Sequence, residues 1–162
     1  MNATEEARVY PSRREEREAI AAVARSTGVF SPAEIDTVFE LFDGYVNNPA
    51  SGYEFLSAEI GGRLAGFVCW GPTPLTEGTC DLYWLSTDAA FQRRGVGRAL
   101  CGAVEREARK RNGRMIVIWT SGTGAYLPAT RLYERMGCML NSRIRDYYKP
   151  GDDLLVYVKY LT

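Results

Sequence analysis

The sequence predicts an α/β (α+β) fold: a single mixed, mostly antiparallel sheet of six to seven strands, with about four helices on both faces. Three observations carry this. Runs with helical periodicity alternate with short apolar runs bounded by turn residues. Their order is strand, two helices, three strands, helix, strand, helix, two strands, which suits one sheet covered by helices. No linker, repeat or low-complexity segment divides the 162 residues, a length that buries a core as one domain over 1–162.

Each element has its own reason. Arg8–Tyr10 is a short first strand. Ser12 and Glu15 are spaced as a capping box for a helix through Arg25, stopped by Thr27-Gly28. Ser31-Pro32-Ala33-Glu34 is a second box, opening a helix to about Phe42. "YEFLSAEI" (53–60), the turn Gly61-Gly62 and "RLAGFVCWG" (63–71) form a hairpin. After the loop "PTPLTEG", "TCDLYWLST" (79–87) is a strand buried on both faces. Val96, Leu100, Val104 and Ala108, with Ala99 and Ala103 beside them, make the apolar stripe of a helix of about five turns ended by Asn112-Gly113. Glu105/Arg109 and Glu107/Arg111 are i,i+4 pairs on it. "RMIVIWT" (114–120) is an apolar strand, Pro128–Met136 a helix stopped by Gly137, and "CMLNSRIR" and "LLVYVKYL" (154–161) are two strands around the loop "DYYKPGDD".

The stretch "FQRRGVGRAL" (91–100) carries the functional signal. Gly95 and Gly97 cost backbone entropy, so a close approach to the backbone is expected there. They stand at a helix N-terminus, where free N–H groups and the dipole favour an anion, and Arg93, Arg94 and Arg98 add charge. A tight strand-to-helix turn is the plain alternative. A dinucleotide fingerprint fails because Leu100 replaces its third glycine, and a Walker loop fails for want of Gly-Lys-Ser/Thr.

Composition narrows the chemistry. Twenty basic and twenty acidic residues name no partner by bulk charge. Eight basic residues face two acidic between Arg93 and Arg114, but Glu105 and Glu107 interrupt the run, which reads as a solvated helix face and not a nucleic-acid stripe. No apolar run approaches the ~20 residues of a membrane span, and "MNATEEARVY" lacks a signal-peptide core. Cys69, Cys80, Cys101 and Cys138 have no Cys-x-x-Cys spacing and read as buried free thiols in a reducing cytoplasm. The absence of histidine removes His-based triads and most zinc sites; no metal is expected.

"WLSTDAAFQRRGVGRAL" followed by "RLYERMGC" resembles the GNAT superfamily of acyl-CoA-dependent N-acyltransferases. Gln92-x-x-Gly95-x-Gly97 matches its pyrophosphate signature, and Leu132-Tyr133-Glu134-Arg135-Met136-Gly137-Cys138 its last-helix motif. The resemblance implies acetyl-CoA as cosubstrate. It places pantetheine along the backbone of Leu85, Ser86 and Thr87, and the pyrophosphate on the N–H groups of Gln92, Arg93, Arg94, Gly95, Val96, Gly97 and Arg98. Tyr126 stands where many members carry a cofactor-contacting Asn.

Tyr133 occupies the position of the family's frequent general acid; a neutral phenol can protonate a leaving thiolate. Its plain alternative is a core tyrosine on the face of Ala129, Leu132 and Met136. Some relatives have a Glu at the end of the fifth strand, where this chain has Trp119-Thr120-Ser121. Asp81, a charge in an apolar strand, is the preferred base; a salt bridge, ordered water or Glu54 are the alternatives. Tyr147, Tyr148, Asp152 and Asp153 form either an aromatic, acidic mouth for a cationic amine or an ordinary hairpin loop. The expected function is acetyl transfer to a primary amine by direct attack in a ternary complex. An acyl-CoA-binding sensor or interaction module is the alternative. No nucleic acid or membrane partner is expected, and the assembly is open between a monomer and a homodimer.

Overall fold

The computed structural model describes residues 6–161. Residues 1–5, part of the segment read for a signal core, and residue 162 lie outside the described residues. The elements are β1 (Arg8–Pro11), α1 (Arg17–Ser26), α2 (Pro32–Asn47), β2 (Glu54–Ile60), β3 (Arg63–Pro72), β4 (Thr79–Thr87), α3 (Val96–Lys110), β5 (Met115–Ser121), α4 (Leu127–Arg135), β6 (Met139–Lys149) and β7 (Asp152–Tyr160). This is the expected order. The strands form one seven-stranded sheet, β1-β2-β3-β4-β5-β7-β6. β4 and β5 run parallel, from Thr79 opposite Met115 to Leu82 opposite Ile118. A parallel pair needs a crossover, and α3 supplies it. The pairs β1–β2, β2–β3, β5–β7 and β6–β7 are antiparallel.

The chain packs as two compact units, Met1–Gly71 with Trp84–Val104, and Pro72–Tyr83 with Glu105–Thr162. In the first, α1 buries Ile20, Ala21, Val23 and Ala24, and α2 buries Ile35, Val38 and Phe42. Phe42 meets Phe55 edge-on at 5.1 Å, and Phe55 stacks on Phe67 at 6.2 Å. Each fully buried Phe contributes roughly 1.5–3 kcal/mol. The Ser31 box forms as expected: Ser31 Oγ accepts from Glu34 N–H, and Glu34 Oε2 from Ser31 N–H at 2.7 Å. α2 runs five residues past Phe42 because Tyr45 packs on Phe42 and Phe55 and donates its hydroxyl to the Ser12 carbonyl at 2.9 Å.

The first helix differs from expectation. Only half a box forms, one residue later, with Arg13 N–H donating to Glu16 Oε2 at 2.7 Å. One 3-10 turn, Arg14–Glu16, then precedes α1. Ser12 is buried instead, its Oγ 2.7 Å from Ser57 Oγ. Ser57 spends its proton on Glu16 Oε2 at 3.0 Å, so Ser12 is the donor. Tyr10 adds a hydroxyl to Glu16 Oε1 at 2.6 Å, and burial with the Glu16 charge pushes its pKa upward.

In the second unit Ile116, Ile118, Leu154, Tyr157 and Val158 are core residues. Glu105 accepts from both Lys159 and Arg109, as the expected i,i+4 pair requires. Glu107 bonds Lys110, three residues on, at 2.6 Å. α3 is about four turns long and ends as read, with Asn112 at φ +58° and Gly113 N–H on the Ala108 carbonyl. β4 is not buried on both faces: Cys80, Leu82 and Ser86 are buried, while Asp81 and Tyr83 on the other face are half-buried.

The expected loop "DYYKPGDD" is mostly strand, since β6 runs to Lys149 and β7 starts at Asp152. Asp153 explains this. Its carboxylate accepts from Arg143 Nε and from Asp146 N–H, holding an irregular stretch in which Asp146 has φ +53°. The Asp146 N–H and the Arg143 guanidinium keep the Asp153 carboxyl below the usual carboxylate range. Such a group stabilises the fold above its unfolded pKa of about 3.9, and the contribution is lost as pH falls through the lowered folded value. Asp153→Asn is therefore expected to reduce Tm at neutral pH and to flatten its fall between about pH 5 and pH 2. Thermal melts across that window check this; parallel curves for parent and variant contradict it.

Candidate active site

The loop before α3 is built by its own backbone. Asp88 Oδ1 accepts from Ala90 N–H at 2.8 Å and caps one 3-10 turn, Ala89–Phe91. Phe91 is buried and anchors the loop, with the Arg63 and Arg94 guanidinium groups over its ring at 5.1 and 5.4 Å. Arg93 and Gly95 both have positive φ, +63° and +78°. The first helical bond is Ala99 N–H to the Gly95 carbonyl, at 2.9 Å. The N–H groups of Val96, Gly97 and Arg98 thus have no acceptor within the helix. A Cβ placed on Gly95 would meet no atom within 4 Å, so the glycine borders open space. Gln92, Arg93, Arg94 and Arg98 are exposed, and the three arginines form no ion pair among the described residues. A helix start of this kind, with three arginines around it of which Arg94 lies over the Phe91 ring, suits an anion.

β4 enters the same unit beside the loop. Val96 and Leu100 pack so tightly over β3 that a Cβ on Gly66 would lie 2.7 Å from both Val96 Cγ1 and the Ser86 carbonyl oxygen. Ser86 Oγ is buried without a hydrogen-bond partner. An unsatisfied buried hydroxyl costs about 1–3 kcal/mol. Its neighbours Leu85 and Thr87 are half-buried.

Tyr133 sits in α4, 5% exposed, its ring 5.9 Å from that of Tyr157. The Tyr-x-x-x-Gly spacing has a backbone cause. Gly137 takes φ +84°, its N–H bonds the Glu134 carbonyl, and Cys138 N–H bonds the Tyr133 carbonyl at 2.9 Å. That is a Schellman stop with Tyr133 as its third-last residue. Tyr157 donates to Glu134 Oε1 at 3.0 Å, and burial with that contact raises its pKa.

Asp81 Oδ2 accepts from Thr73 Oγ1 at 2.6 Å and lies 3.4 Å from the Tyr83 hydroxyl. Asp81, Leu82, Tyr83 and Trp119 line a hollow of about 280 Å3. Tyr126 is half-buried and closes the 3-10 turn that leads into α4. Glu54 begins β2. The expected acidic mouth loses its acids to structure: Asp153 is taken by Arg143, and Asp152 accepts from Ser121 Oγ. Tyr147 and Tyr148 remain exposed. None of the four cysteines is disulfide-bonded; Cys69, Cys80 and Cys101 are buried and Cys138 half-buried. Burial pushes the Cys138 thiol up to about 11, so it is protonated at neutral pH.

The sequence profile of the Acetyltransferase (GNAT) family matches residues 15–138. The chain belongs to the GNAT acetyltransferase family. A crystal structure assigned to this family, from Desulfovibrio desulfuricans, is 36% identical, with TM-score 0.90 over 96% of this chain and 99% of that one. An N-acetyltransferase from Staphylococcus aureus Mu50 shares the fold at 17% identity and TM-score 0.78, over 96% and 99% of the two chains. An aminoglycoside 6'-N-acetyltransferase complexed with coenzyme A does so at 16% identity and TM-score 0.76, over 96% and 97%. Comparison with curated protein sequences finds no match.

For a GNAT acetyltransferase the acyl donor is acetyl-CoA, and the first unit fits it. Gly95 borders open space, and the Val96, Gly97 and Arg98 N–H groups beside it have no acceptor within the helix. The partnerless Ser86 hydroxyl lies on the strand segment assigned to pantetheine. The sequence reading named Ser86 for its backbone and missed its side chain, because burial without a partner has no local signature. It also missed Gly66, Tyr83 and Trp119, whose positions depend on strand pairing. Among the described residues no group of three or more His, Cys, Asp or Glu is placed to hold a metal ion. No described helix is long and apolar enough to cross a membrane.

Proposed function

We propose that the protein transfers the acetyl group of acetyl-CoA to a primary amine by direct attack in a ternary complex. The observation that supports this most is the Gly95 loop, a helix start whose first N–H groups have no acceptor within the helix and whose three arginines form no ion pair among the described residues. Acetyl-CoA supplies the thioester carbon that the amine attacks. Val96, Gly97 and Arg98 N–H groups hold the pyrophosphate, with Gln92, Arg93, Arg94 and Gly95 completing the loop. Leu85, Ser86 and Thr87 hold the pantetheine arm, and Tyr126 borders the cofactor. Asp81 takes the proton that the attacking nitrogen releases. Tyr133 gives its hydroxyl proton to the departing sulfur, where negative charge gathers as the C–S bond breaks. The free thiols support a reducing, cytoplasmic setting.

With no histidine in the chain, the acceptor's own ionisation dominates the pH profile. kcat/KM is expected to rise from about pH 6 to about pH 9 as more amine becomes neutral. Thiol detection of CoA release across a library of primary amines tests the function. Release with at least one amine supports it. CoA binding without release for any amine supports the acyl-CoA sensor instead, a reading favoured by the absence of a carboxylate at Trp119-Thr120-Ser121.

A further inference from the structure

The hollow beside Asp81 has a chemistry of its own. Asp81 stands opposite Val117 in the parallel ladder. Tyr83 and Trp119, two residues further along each strand, therefore rise on the same face as Asp81. Together with Leu82 they line an open space of about 280 Å3. The carboxylate is oriented by the Thr73 hydroxyl at 2.6 Å and the Tyr83 hydroxyl at 3.4 Å. It forms no ion pair among the described residues. Above it the wall is aromatic. Trp119 is 56% exposed and meets Tyr147 edge-on at 6.3 Å, and Tyr147 meets Tyr148 at 5.0 Å. Large rings left open to water mark a surface that something apolar covers.

We infer that this hollow binds the acyl acceptor, as a singly charged amine bearing a flat aromatic group on a short chain. The inference rests on the acetyl-transfer reading and deepens it. Charge sets the first part: one carboxylate without a cation balances one ammonium, which releases a proton to water before it attacks, and ring faces add cation–π attraction. The exposed faces of Trp119 and Tyr147 set the second, since aromatic pairs gain beyond their buried area. Size sets the third. The volume, about 280 Å3, falls just below the roughly 300–1,000 Å3 of drug-sized ligand sites, enough for one ring and a short chain. A polycationic, multi-ring amine would bring charges that no acid in the hollow answers.

The test is calorimetric titration of the whole protein, saturated with CoA, with three probes: phenethylamine, 2-phenylethanol and ethylamine. Phenethylamine is expected to bind at least ten-fold tighter than either analogue. Asp81→Asn should erase its advantage over the alcohol. Trp119→Ala, at an exposed site where the fold has little to lose, should erase most of its advantage over ethylamine. Equal affinities for the three probes in the parent protein overturn the inference, whatever the variants do. So does a phenethylamine preference that both folded variants retain. Failure of CoA itself to bind, seen in the first titration, counts against the acetyl-transfer reading and is thereby distinct.

Discussion

Tyr133→Phe is expected to lower kcat by roughly 10²–10⁴-fold, the range of a general acid, while CoA binding and the fold persist. The ring remains, so its 5.9 Å contact with Tyr157 remains. The Schellman stop uses the Tyr133 carbonyl and not its side chain, so Gly137 and Cys138 keep their bonds. Only the hydroxyl is lost. A group that donates its proton as the C–S bond breaks acts mainly in the transition state, so kcat and kcat/KM should fall together. A tyrosine that serves packing alone predicts the reverse, a lower Tm with near-normal turnover. Steady-state kinetics beside a thermal melt separate the two.

Gly95→Val is expected to weaken CoA binding ten-fold or more, about 1.4 kcal/mol. Two effects add. Gly95 holds φ +78°, a conformation that a β-branched residue resists at a cost of about 1–3 kcal/mol. The new side chain would also occupy the open space that a Cβ at this position faces. The added Cβ meets no atom of the protein within 4 Å, so backbone strain is the main cost to the fold and the variant should fold with a lower Tm. Gly95→Ala separates the contributions, since it carries the strain with one methyl of bulk. Calorimetric titration of a folded Gly95→Val that binds CoA at parental affinity contradicts the assignment of this loop.

Local signals made most of the fold legible. α3 was readable because its stripe repeats every turn, and its end because Asn112-Gly113 is a stop written in two adjacent residues. The Ser31 box was readable because its partners are three residues apart. Ser12 misled for the opposite reason: its hydroxyl answers Ser57, 45 residues away. "DYYKPGDD" looked like a loop because its polar residues hide a strand held by Asp153 and by pairing with β7. Asp81 and Tyr133 could be singled out by type and motif. The surroundings of Asp81 could not, since Thr73 and Trp119 reach it through a hairpin-like return and a parallel crossover. Burial on one face of β4 likewise depends on what packs there, which an apolar run does not encode.

The most direct test of the cofactor cradle is a pair of calorimetric titrations of the parent protein, one with CoA and one with pantetheine, which lacks the pyrophosphate and nucleotide. The Gly95 loop with its helix-start N–H groups and surrounding arginines predicts that CoA binds at least ten-fold more tightly, with an advantage that shrinks as salt is raised. Equal affinity for the two ligands, or no binding of CoA at any salt concentration, would contradict it.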